Sequence, residues 1–405
     1  MIGRQAWVGA GIEEADLPAE TVQALRALGI GTCAQLHDLL GRRWSDVETR
    51  QLFGLDLRQA RASVGRAAQR RLPASVTRKL SRRPFTLPPM TGIRGPASDN
   101  AMIRLRREGR RDQRKKVVAM LKHLRDQDNL PTKALLTDWM APVGDQGHLG
   151  SCVGWGSTAN RELLARNELA PLFAYAMAKY LDGCPDLEGS WQHFCFDGFV
   201  RFGQLPESAY PYTDDPEQLD VEPYLDDAEE LRADGYADVL LDPEDMELQP
   251  ELIKAILSGR LNDELGPQPV STSLAVYESW DSATTAIYGL VTIPFEGERL
   301  LGGHALCIAG YIDADDPDGL YGIDYFVVKN SWSTDWAADN PLGLPGYALI
   351  PAAYFADPRL HWEALVCLAE PSPVRSAGWL DLLRAGWDAG TIEQCPAVSG
   401  HGTRR

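Results

Sequence analysis

Residues 145–157 read DQGHLGSCVGWGS, and this stretch sets one cysteine, Cys152, between a glycine-rich loop and a run with helical character. The first turn of a helix leaves backbone N–H groups without intrahelical partners, and the helix dipole favours negative charge there. A thiol delivered to that position is expected to ionise more readily than a buried structural cysteine. A nucleophile at Cys152 would also need a base, a group that orients the base, and donors for an oxyanion.

Polar residues elsewhere in the chain fit these needs. His304 follows two glycines at the start of an apolar β-type run, and Asn330 ends a second such run. An asparagine amide oxygen can accept the imidazole N–H and fix the tautomer of the ring. Gln146 lies on the same loop as Cys152, so its side-chain amide and the Cys152 backbone N–H are candidate oxyanion donors. Each residue alone is more often structural, but the ordered set of four favours a nucleophilic site.

The composition of the 405-residue chain is typical of a soluble globular protein with two or three domains, since 44% of the residues are hydrophobic and 24% are charged. The N-terminus lacks the apolar stretch of a secretory signal, and no apolar run reaches the length of a membrane span. Scattered cysteines favour free thiols in a reducing compartment, although Cys184 and Cys195 could pair in an exported protein. We therefore expect a cytoplasmic protein without membrane contact.

Charge divides the chain unevenly. Residues 1–133 hold 26 Lys and Arg against 13 Asp and Glu, whereas the remainder holds 14 against 44. Two separately solvated surfaces are the simplest interpretation. Alternatively, the basic part docks on the acidic part, with an attraction that salt weakens, or it binds nucleic acid. We favour these three interpretations in that order and do not expect a nucleic-acid partner.

Residues 1–83 are predicted to form a small all-α module. Apolar residues between 12 and 41 recur at helical spacing in two segments, with Pro18 in the first turn of one and Thr32 as the N-cap of the other. This segment resembles helix-hairpin-helix modules. Because small helical adaptors share the pattern, docking of a protein partner or simple packing is favoured over DNA contact through the turn amides.

Residues 84–129 are predicted to connect this module to the rest of the chain. Residues 81–96 are rich in proline and glycine, which is typical of a linker. Residues 101–128 are strongly basic and carry one short apolar stripe, which predicts a helix. Either this helix is solvated with one packed face, or it lies on the acidic domain as an inhibitory pro-segment would.

Residues 130–370 are predicted to form an α+β domain, because a helical half is followed by a β half with a cleft between them. A helical pattern is predicted from Cys152 to about residue 180. Residues 371–405 are predicted to be a C-terminal tail. The intervening segments are a Gly/Pro-rich stretch at 183–213, an acidic, loop-rich insertion at 214–249, a helix at 250–258, and β-type runs at 270–274, 304–311, 325–329 and 346–350.

The ordered motifs of this domain resemble those of the papain family of cysteine peptidases, and we expect a bacterial-type member with an extra N-terminal helical region. They are Asp138-Trp139, QGHLGSC at 146–152, ESAYPY at 207–212, Gly303-His304-Ala305, VKNSW at 328–332 and Gly346-Tyr347. The resemblance implies a two-lobed papain-like fold, with a helical lobe, a β-barrel-like lobe and the active-site cleft between them.

The resemblance also implies a role for each residue. Cys152 would be the nucleophile, His304 the acid and base, Asn330 the orienting group and Gln146 the oxyanion donor. The residues expected to contact a peptide or protein substrate are Gly189, Ser190, Gly303 and Trp332, and Trp332 with Trp336 would shield the Asn–His hydrogen bond. No cofactor or metal is expected.

Some positions depart from the family pattern. Leu149 stands where the family usually has a cysteine, Val153 where it has an aromatic residue, and Gly303 where papain itself has a carboxylate. None of these changes removes a catalytic group. An endopeptidase with a Cys-His-Asn thiolate mechanism is therefore expected. The alternatives are a papain-fold binding or scaffold protein with weak or no peptidase activity, and transpeptidation or amide hydrolysis on a non-protein substrate.

Overall fold

The computed structural model describes residues 11–15, 17–40, 58, 85–126, 130–165, 168–184, 186–215, 219–261, 266–295 and 297–368. Helices dominate the first part of these residues and strands the second, so the predicted α+β class is confirmed. The helices are α1 (Ala19–Ala27), α2 (Cys33–Leu40), α3 (Ala101–Glu108), α4 (Arg111–Asp126), α5 (Cys152–Ala165), α6 (Pro171–Asp182), α7 (Gln192–Arg201), α8 (Leu225–Ala228), α9 (Gln249–Leu257), α10 (Ala283–Tyr288) and α11 (Ala352–Phe355).

Seven strands form one antiparallel sheet within the described residues. They are β1 (Lys133–Leu135), β2 (Gly235–Asp238), β3 (Val270–Tyr277), β4 (Leu300–Ile312), β5 (Tyr325–Lys329), β6 (Tyr347–Pro351) and β7 (His361–Leu368). Their order is β2-β7-β3-β4-β5-β6, and β1 adds to β4. Strands β5, β6 and β7 are buried along their whole length, as expected for strands covered on both faces.

The helical lobe meets the sheet where α5 crosses β4. Gly156 in α5 has no side chain, and a Cβ there would lie 2.9 Å from the Leu306 backbone, so only glycine permits this approach. The contact places the first residue of α5, Cys152, beside the part of β4 that carries His304. The close approach of α5 to β4 therefore brings together Cys152 and His304, which lie far apart in the sequence.

Helix α7 lies in the Gly/Pro-rich stretch 183–213, for which the sequence predicted no helix. Residues 192–201 form a buried helix packed on α6. Gly198 could indicate a turn in the sequence. It instead lets α7 approach α6 closely, because a Cβ there would lie 2.2 Å from Met177 Cγ. The acidic insertion is irregular as expected, apart from short helical turns and strand β2, which no sequence pattern revealed.

The N-terminal helices α1 and α2 pack on the β lobe. Thr32 is the predicted N-cap of α2, since its Oγ1 accepts the Gln35 N–H at 3.1 Å. Gln35 Oε1 in turn accepts the N–H groups of Gly31 and Thr32, so these turn amides already have a partner within the module. The Ile293 N–H donates to Leu28 O at 2.9 Å and joins the module to the catalytic half of the chain.

Helices α3 and α4 form a basic arm, defined as residues 101–126, where one continuous helix was predicted. The arm docks on acidic residues of the following domain, which agrees with the docking interpretation of the charge asymmetry. The ion pairs are Arg106–Asp197 (3.0 Å), Arg107–Asp238 (3.6 Å), Arg111–Glu244 (3.0 Å) and Arg114–Asp242 (3.0 Å). None of the helices among the described residues has both the length and the apolar character that a membrane span needs.

Candidate active site

Cys152 begins helix α5 and is buried, with 1% of its surface exposed. Its Sγ accepts the Ala305 backbone N–H at 3.4 Å, which fixes the sulfur at the start of the buried part of β4. Burial raises the pKa of the thiol, and the backbone N–H groups of Ala305, Val153 and Cys152 itself oppose that rise, as expected at a helix N-terminus. The site therefore supplies both the anchor and the donors that a thiolate needs.

His304 and Asn330 meet at the edge of the sheet where β5 ends. His304 Nε2 lies 2.7 Å from Asn330 Oδ1, and this oxygen also accepts the Ser331 N–H at 2.8 Å. The Trp332 ring stacks on the imidazole with a centroid separation of 4.5 Å, and Trp336 packs edge-on against Trp332 at 5.3 Å. The two indoles cover the Asn–His contact in the way that the motif order suggested.

Gln146 lies at the same edge of the sheet. Its backbone N–H donates to Ser331 O at 2.8 Å, and its side-chain Oε1 accepts the Ser331 hydroxyl at 2.8 Å. Nε2 donates to Leu149 O at 3.0 Å, which uses one of its two N–H bonds. The amide is thus held in a defined orientation on the loop that precedes Cys152, with one donor remaining.

The sequence model for the papain family cysteine proteases matches residues 133–343, just over half of the chain. The chain belongs to the papain family of cysteine proteases. An uncharacterized peptidase C1-like protein of Acanthamoeba polyphaga mimivirus is 31% identical over 106 residues, which cover 26% of this chain and 30% of that protein. P34 probable thiol protease of Glycine max is 26% identical over 218 residues, which cover 50% of this chain and 51% of that protein.

Solved structures give a similar match. Xylellain, a cysteine protease from Xylella fastidiosa, matches with a TM-score of 0.47 and 21% identity over 60% of this chain and 88% of that one. The chain spans between about a third and about half of the length of these two curated relatives. The papain-family assignment rests on the family model over residues 133–343.

The cleft of this papain-family domain is filled by the chain itself. Residues 85–95, here called the cleft segment, run through it without forming a helix. A Cβ on Gly92 would lie 2.2 Å from Cys152 Sγ, so the Gly92 backbone passes directly against the sulfur. The Ser190 N–H donates to Gly92 O at 3.1 Å, and Ile93 forms a parallel bridge with Ser190 and an antiparallel bridge with Gly303. The segment that we interpreted as a linker therefore covers the candidate nucleophile.

The four residues expected to contact a substrate all contact the cleft segment. Ser190 and Gly303 bridge to Ile93. A Cβ on Gly189 would lie 2.1 Å from the carbonyl oxygen of Thr91 in the segment. Trp332 stacks on Phe85, with ring centroids 5.8 Å apart and planes inclined by 26°. The cleft surface predicted from the motifs is thus the surface that holds the segment.

Burial under the cleft segment sets the protonation of the site. Desolvation raises the pKa of the Cys152 thiol to about 12, more than its backbone donors lower it. Desolvation likewise lowers the pKa of His304 to about 4, against the hydrogen bond to Asn330. The covered site therefore holds a thiol and a neutral imidazole, whereas the sequence led us to expect a readily ionised thiolate. Desolvation destabilises a thiolate at this site by more than the helix N-terminus stabilises it.

Gly92, Ala305 and Trp362 are site residues that sequence reasoning missed. Ala305 acts only through its backbone N–H, which carries no side-chain signal. Trp362 lies in β7, two strands away from Gly303 in β4, and no local pattern reveals that its ring reaches Gly303 across β3. Gly92 lies in a Pro/Gly-rich stretch whose composition indicates a linker as readily as a tightly packed strand.

Proposed function

We propose that this chain is a cysteine endopeptidase that hydrolyses peptide bonds through a thioester acyl-enzyme. The supporting observation is that an extended polypeptide, the cleft segment, already lies in the cleft with its backbone paired to Ser190 and Gly303. Backbone pairing of this kind recognises an extended chain whatever its side chains are. The cleft therefore fits a peptide and places it against Cys152 and His304.

The first half of the reaction forms the acyl-enzyme. The proton of the Cys152 thiol passes to His304, and Sγ attacks the carbonyl carbon of the scissile peptide. The backbone N–H of Cys152 and the remaining N–H of Gln146 Nε2 stabilise the negative oxygen. Collapse of the tetrahedral intermediate breaks the C–N bond, and His304 gives its proton to the leaving amine.

The second half releases the other product. His304, neutral again, takes a proton from water, and the hydroxide oxygen attacks the thioester carbonyl. Collapse expels the Cys152 thiolate and frees the carboxylic acid product, and the proton returns from His304 to sulfur or to solvent. Asn330 orients the imidazole throughout, since its amide oxygen accepts the Nε2 proton and leaves Nδ1 for the chemistry.

The cleft segment is not itself presented for cleavage in this structure. Gly92 O accepts the Ser190 N–H at 3.1 Å, so this carbonyl oxygen is already bonded to the wall of the cleft. We propose that residues 84–129 restrain the peptidase in the intact chain, with the cleft segment covering the thiol and the basic arm holding that segment in place. Whether the N-terminal module recruits a protein partner remains a separate proposal.

The test is cleavage of an unfolded protein substrate by the full-length chain, followed by mass spectrometry of the new termini. Cys152→Ala is the matched control, because it removes only the sulfur from a buried position. We expect new amine and carboxylate termini with the wild-type chain and none with Cys152→Ala. Because the cleft segment covers the thiol, full-length Gly92→Ala, whose added methyl meets Cys152 Sγ, is assayed beside the wild type. Unchanged substrate with both chains would favour the binding or scaffold alternative, whereas transfer of the acyl group to an added amine would favour transpeptidation.

A further inference from the structure

The hydroxyl of Tyr212 lies between the two ends of the loop that carries the candidate oxyanion donors. It donates to Gln146 O at 2.9 Å, and Ser151 Oγ lies 2.6 Å from the same phenol oxygen. Because a phenol has one proton and Gln146 O accepts it, the Ser151 hydroxyl donates to Tyr212. One oxygen atom therefore joins the residue that supplies the side-chain amide to the residue directly before Cys152.

The ring of Tyr212 is held against the helix that begins at Cys152. Its centroid lies 4.7 Å from that of Trp155 in α5, and its backbone N–H donates to Glu207 Oε1 at 2.7 Å. Burial raises the pKa of Tyr212 to about 12, so the hydroxyl keeps its proton near neutral pH. The position of the hydroxyl is thus set by the helical lobe rather than by the loop that it contacts.

Gln146 is held from both halves of the domain. On the sheet side, its backbone N–H donates to Ser331 O and its Oε1 accepts the Ser331 hydroxyl, each at 2.8 Å. On the helical side, its carbonyl oxygen accepts the Tyr212 hydroxyl. The Ser331 contacts therefore fix Gln146 relative to β5, and the Tyr212 contact fixes it relative to α5 and the Cys152 N–H.

We propose that Tyr212 is a positioning residue for the peptidase, whose hydroxyl sets the placement of the Gln146 side-chain amide relative to the Cys152 backbone N–H. This inference rests on the proposed function and adds a residue that acts through Gln146. Preorganised donors stabilise an oxyanion most when they already point to the position that it will occupy. A displacement of about 1 Å in such a site can lower the rate by up to about 100-fold. Loss of the hydroxyl should therefore lower kcat more than it alters KM.

The test is Tyr212→Phe in the full-length chain, which removes the hydroxyl and keeps the ring. Tyr210→Phe is the matched control, because it removes a hydroxyl of the same motif that donates to Asp220 O instead. Both are assayed with a peptidyl coumarin in the wild-type and Gly92→Ala chains, since the methyl of the latter displaces the segment that covers Cys152. We expect Tyr212→Phe to lower kcat by at least about 10-fold, with KM changed by less than about 2-fold, and Tyr210→Phe to match its parent chain.

Two further measurements separate positioning from loss of structure. In the Gln146→Ala background, Tyr212→Phe should lower kcat by less than about 2-fold, because the amide that it positions is absent and the two losses do not add. Alkylation of Cys152 by iodoacetamide forms no oxyanion, so its rate in the Gly92→Ala chain should change by less than about 2-fold when Tyr212→Phe is added. Ser151→Ala, which breaks the same connection, replaces Tyr212→Phe with the same expectations if the latter does not fold.

The outcomes distinguish this inference from the proposed function. Equal kcat values for Tyr212→Phe and Tyr210→Phe would overturn the positioning role and leave the peptidase intact. An equal loss of kcat with and without the Gln146 amide, or an equal slowing of alkylation, would show that Tyr212 maintains the fold of the loop rather than the donor, and would overturn the role as well. A reporter that no chain cleaves, Gly92→Ala included, would overturn the proposed function and this inference with it.

Discussion

Two buried histidines in this molecule have opposite charge states. His304 and His193 are 1% and 2% exposed, and burial alone would keep both neutral. His304 contacts the neutral Asn330, and desolvation lowers its pKa to about 4. His193 lies 2.6 Å from Glu363 and 3.4 Å from Asp238; burial opposes its charge, but these two carboxylates raise its pKa to about 9.

The comparison shows that the partner decides what a buried histidine does. An amide partner fixes the ring of His304 and leaves it free to take and return a proton, as a catalytic base must. Two carboxylates hold a proton on His193 and make it a permanent structural cation. Asp238 also pairs with Arg107 of the basic arm, so this charged cluster joins the arm to the domain, while the His304 site lies beneath the cleft segment.

The largest expected contrast comes from removing each ring. His304→Gln should lower kcat/KM by about 10³-fold or more with little change in stability, because it removes the general acid and base. His193→Gln should lower the free energy of unfolding by about 3–5 kcal/mol, because two buried carboxylates lose their cation. Urea unfolding and peptide kinetics on both variants measure the contrast. An equal loss of activity per folded molecule in His304→Gln and His193→Gln would contradict the different roles assigned to the two histidines.

The free energy of unfolding should fall at alkaline pH because of His193 and at acidic pH because of His304. His193 has a raised pKa in the folded state, so its stabilisation is complete below about pH 6.5 and is lost as pH rises through about 9. His304 has a lowered pKa, so its stabilisation is present above about pH 6.5 and is lost as pH falls toward about 4. Urea unfolding from about pH 4 to about pH 8.5, below the range where buried cysteines with raised pKa values add their own alkaline limb, should therefore give maximal stability near neutral pH. His193→Gln should remove most of the fall in stability above about pH 6.5, and an unchanged fall would contradict the assignment.

Converting one site toward the other sharpens the comparison. Asn330→Asp gives His304 a carboxylate partner, as His193 has, and should raise the pKa of His304 by about 1–3 units. Asn330→Gln keeps a neutral amide and is the matched control. An NMR titration of histidine-labelled protein reads the imidazole directly, and a pKa of His304 that does not respond to the added charge would show that desolvation alone sets it.

The smallest effect should come from the basic arm. Arg107→Gln removes the cation beside Asp238 and should increase the rate at which a thiol probe labels Cys152 by up to about 10-fold. Arg111→Gln is the control, since its pair with Glu244 is exposed and solvent screens the attraction. High salt should also speed the labelling of Cys152 in the wild-type chain, because it screens the ion pairs of the basic arm. Equal rates for wild type and Arg107→Gln would show that the arm does not hold the cleft segment.

The sequence was sufficient for the motifs and for the strands that carry them. His304 and Asn330 could be placed because His304 begins one apolar β-type run and Asn330 ends another, and β4 and β5 lie where those runs were predicted. Their contact at 2.7 Å depends on the pairing of β4 with β5, which the family resemblance implied and no local pattern reveals.

The sequence was insufficient where composition and packing point to different structures. Gly198 and Gly92 both lie in stretches that indicate turns or linkers, yet the first packs a buried helix and the second lies against a sulfur atom. Short-range propensity cannot distinguish a glycine that bends the chain from one that admits a neighbour. The raised pKa of Cys152 was missed for a related reason, because it depends on what covers the helix N-terminus rather than on the helix itself.

The most direct test of the central claim is the rate at which an epoxysuccinyl thiol probe labels Cys152 in three full-length chains. Gly92→Ala places a methyl group 2.2 Å from Cys152 Sγ, whereas Gly109→Ala in the same N-terminal region meets no atom closer than 3.6 Å. We expect Gly92→Ala to be labelled at least about 10-fold faster than wild type near neutral pH, because uncovering the thiol removes the desolvation that raises its pKa. Gly109→Ala should match wild type. Equal labelling of wild type and Gly92→Ala, or no labelling of Cys152 in any of the three chains, would contradict the account of a papain-family nucleophile covered by residues 85–95.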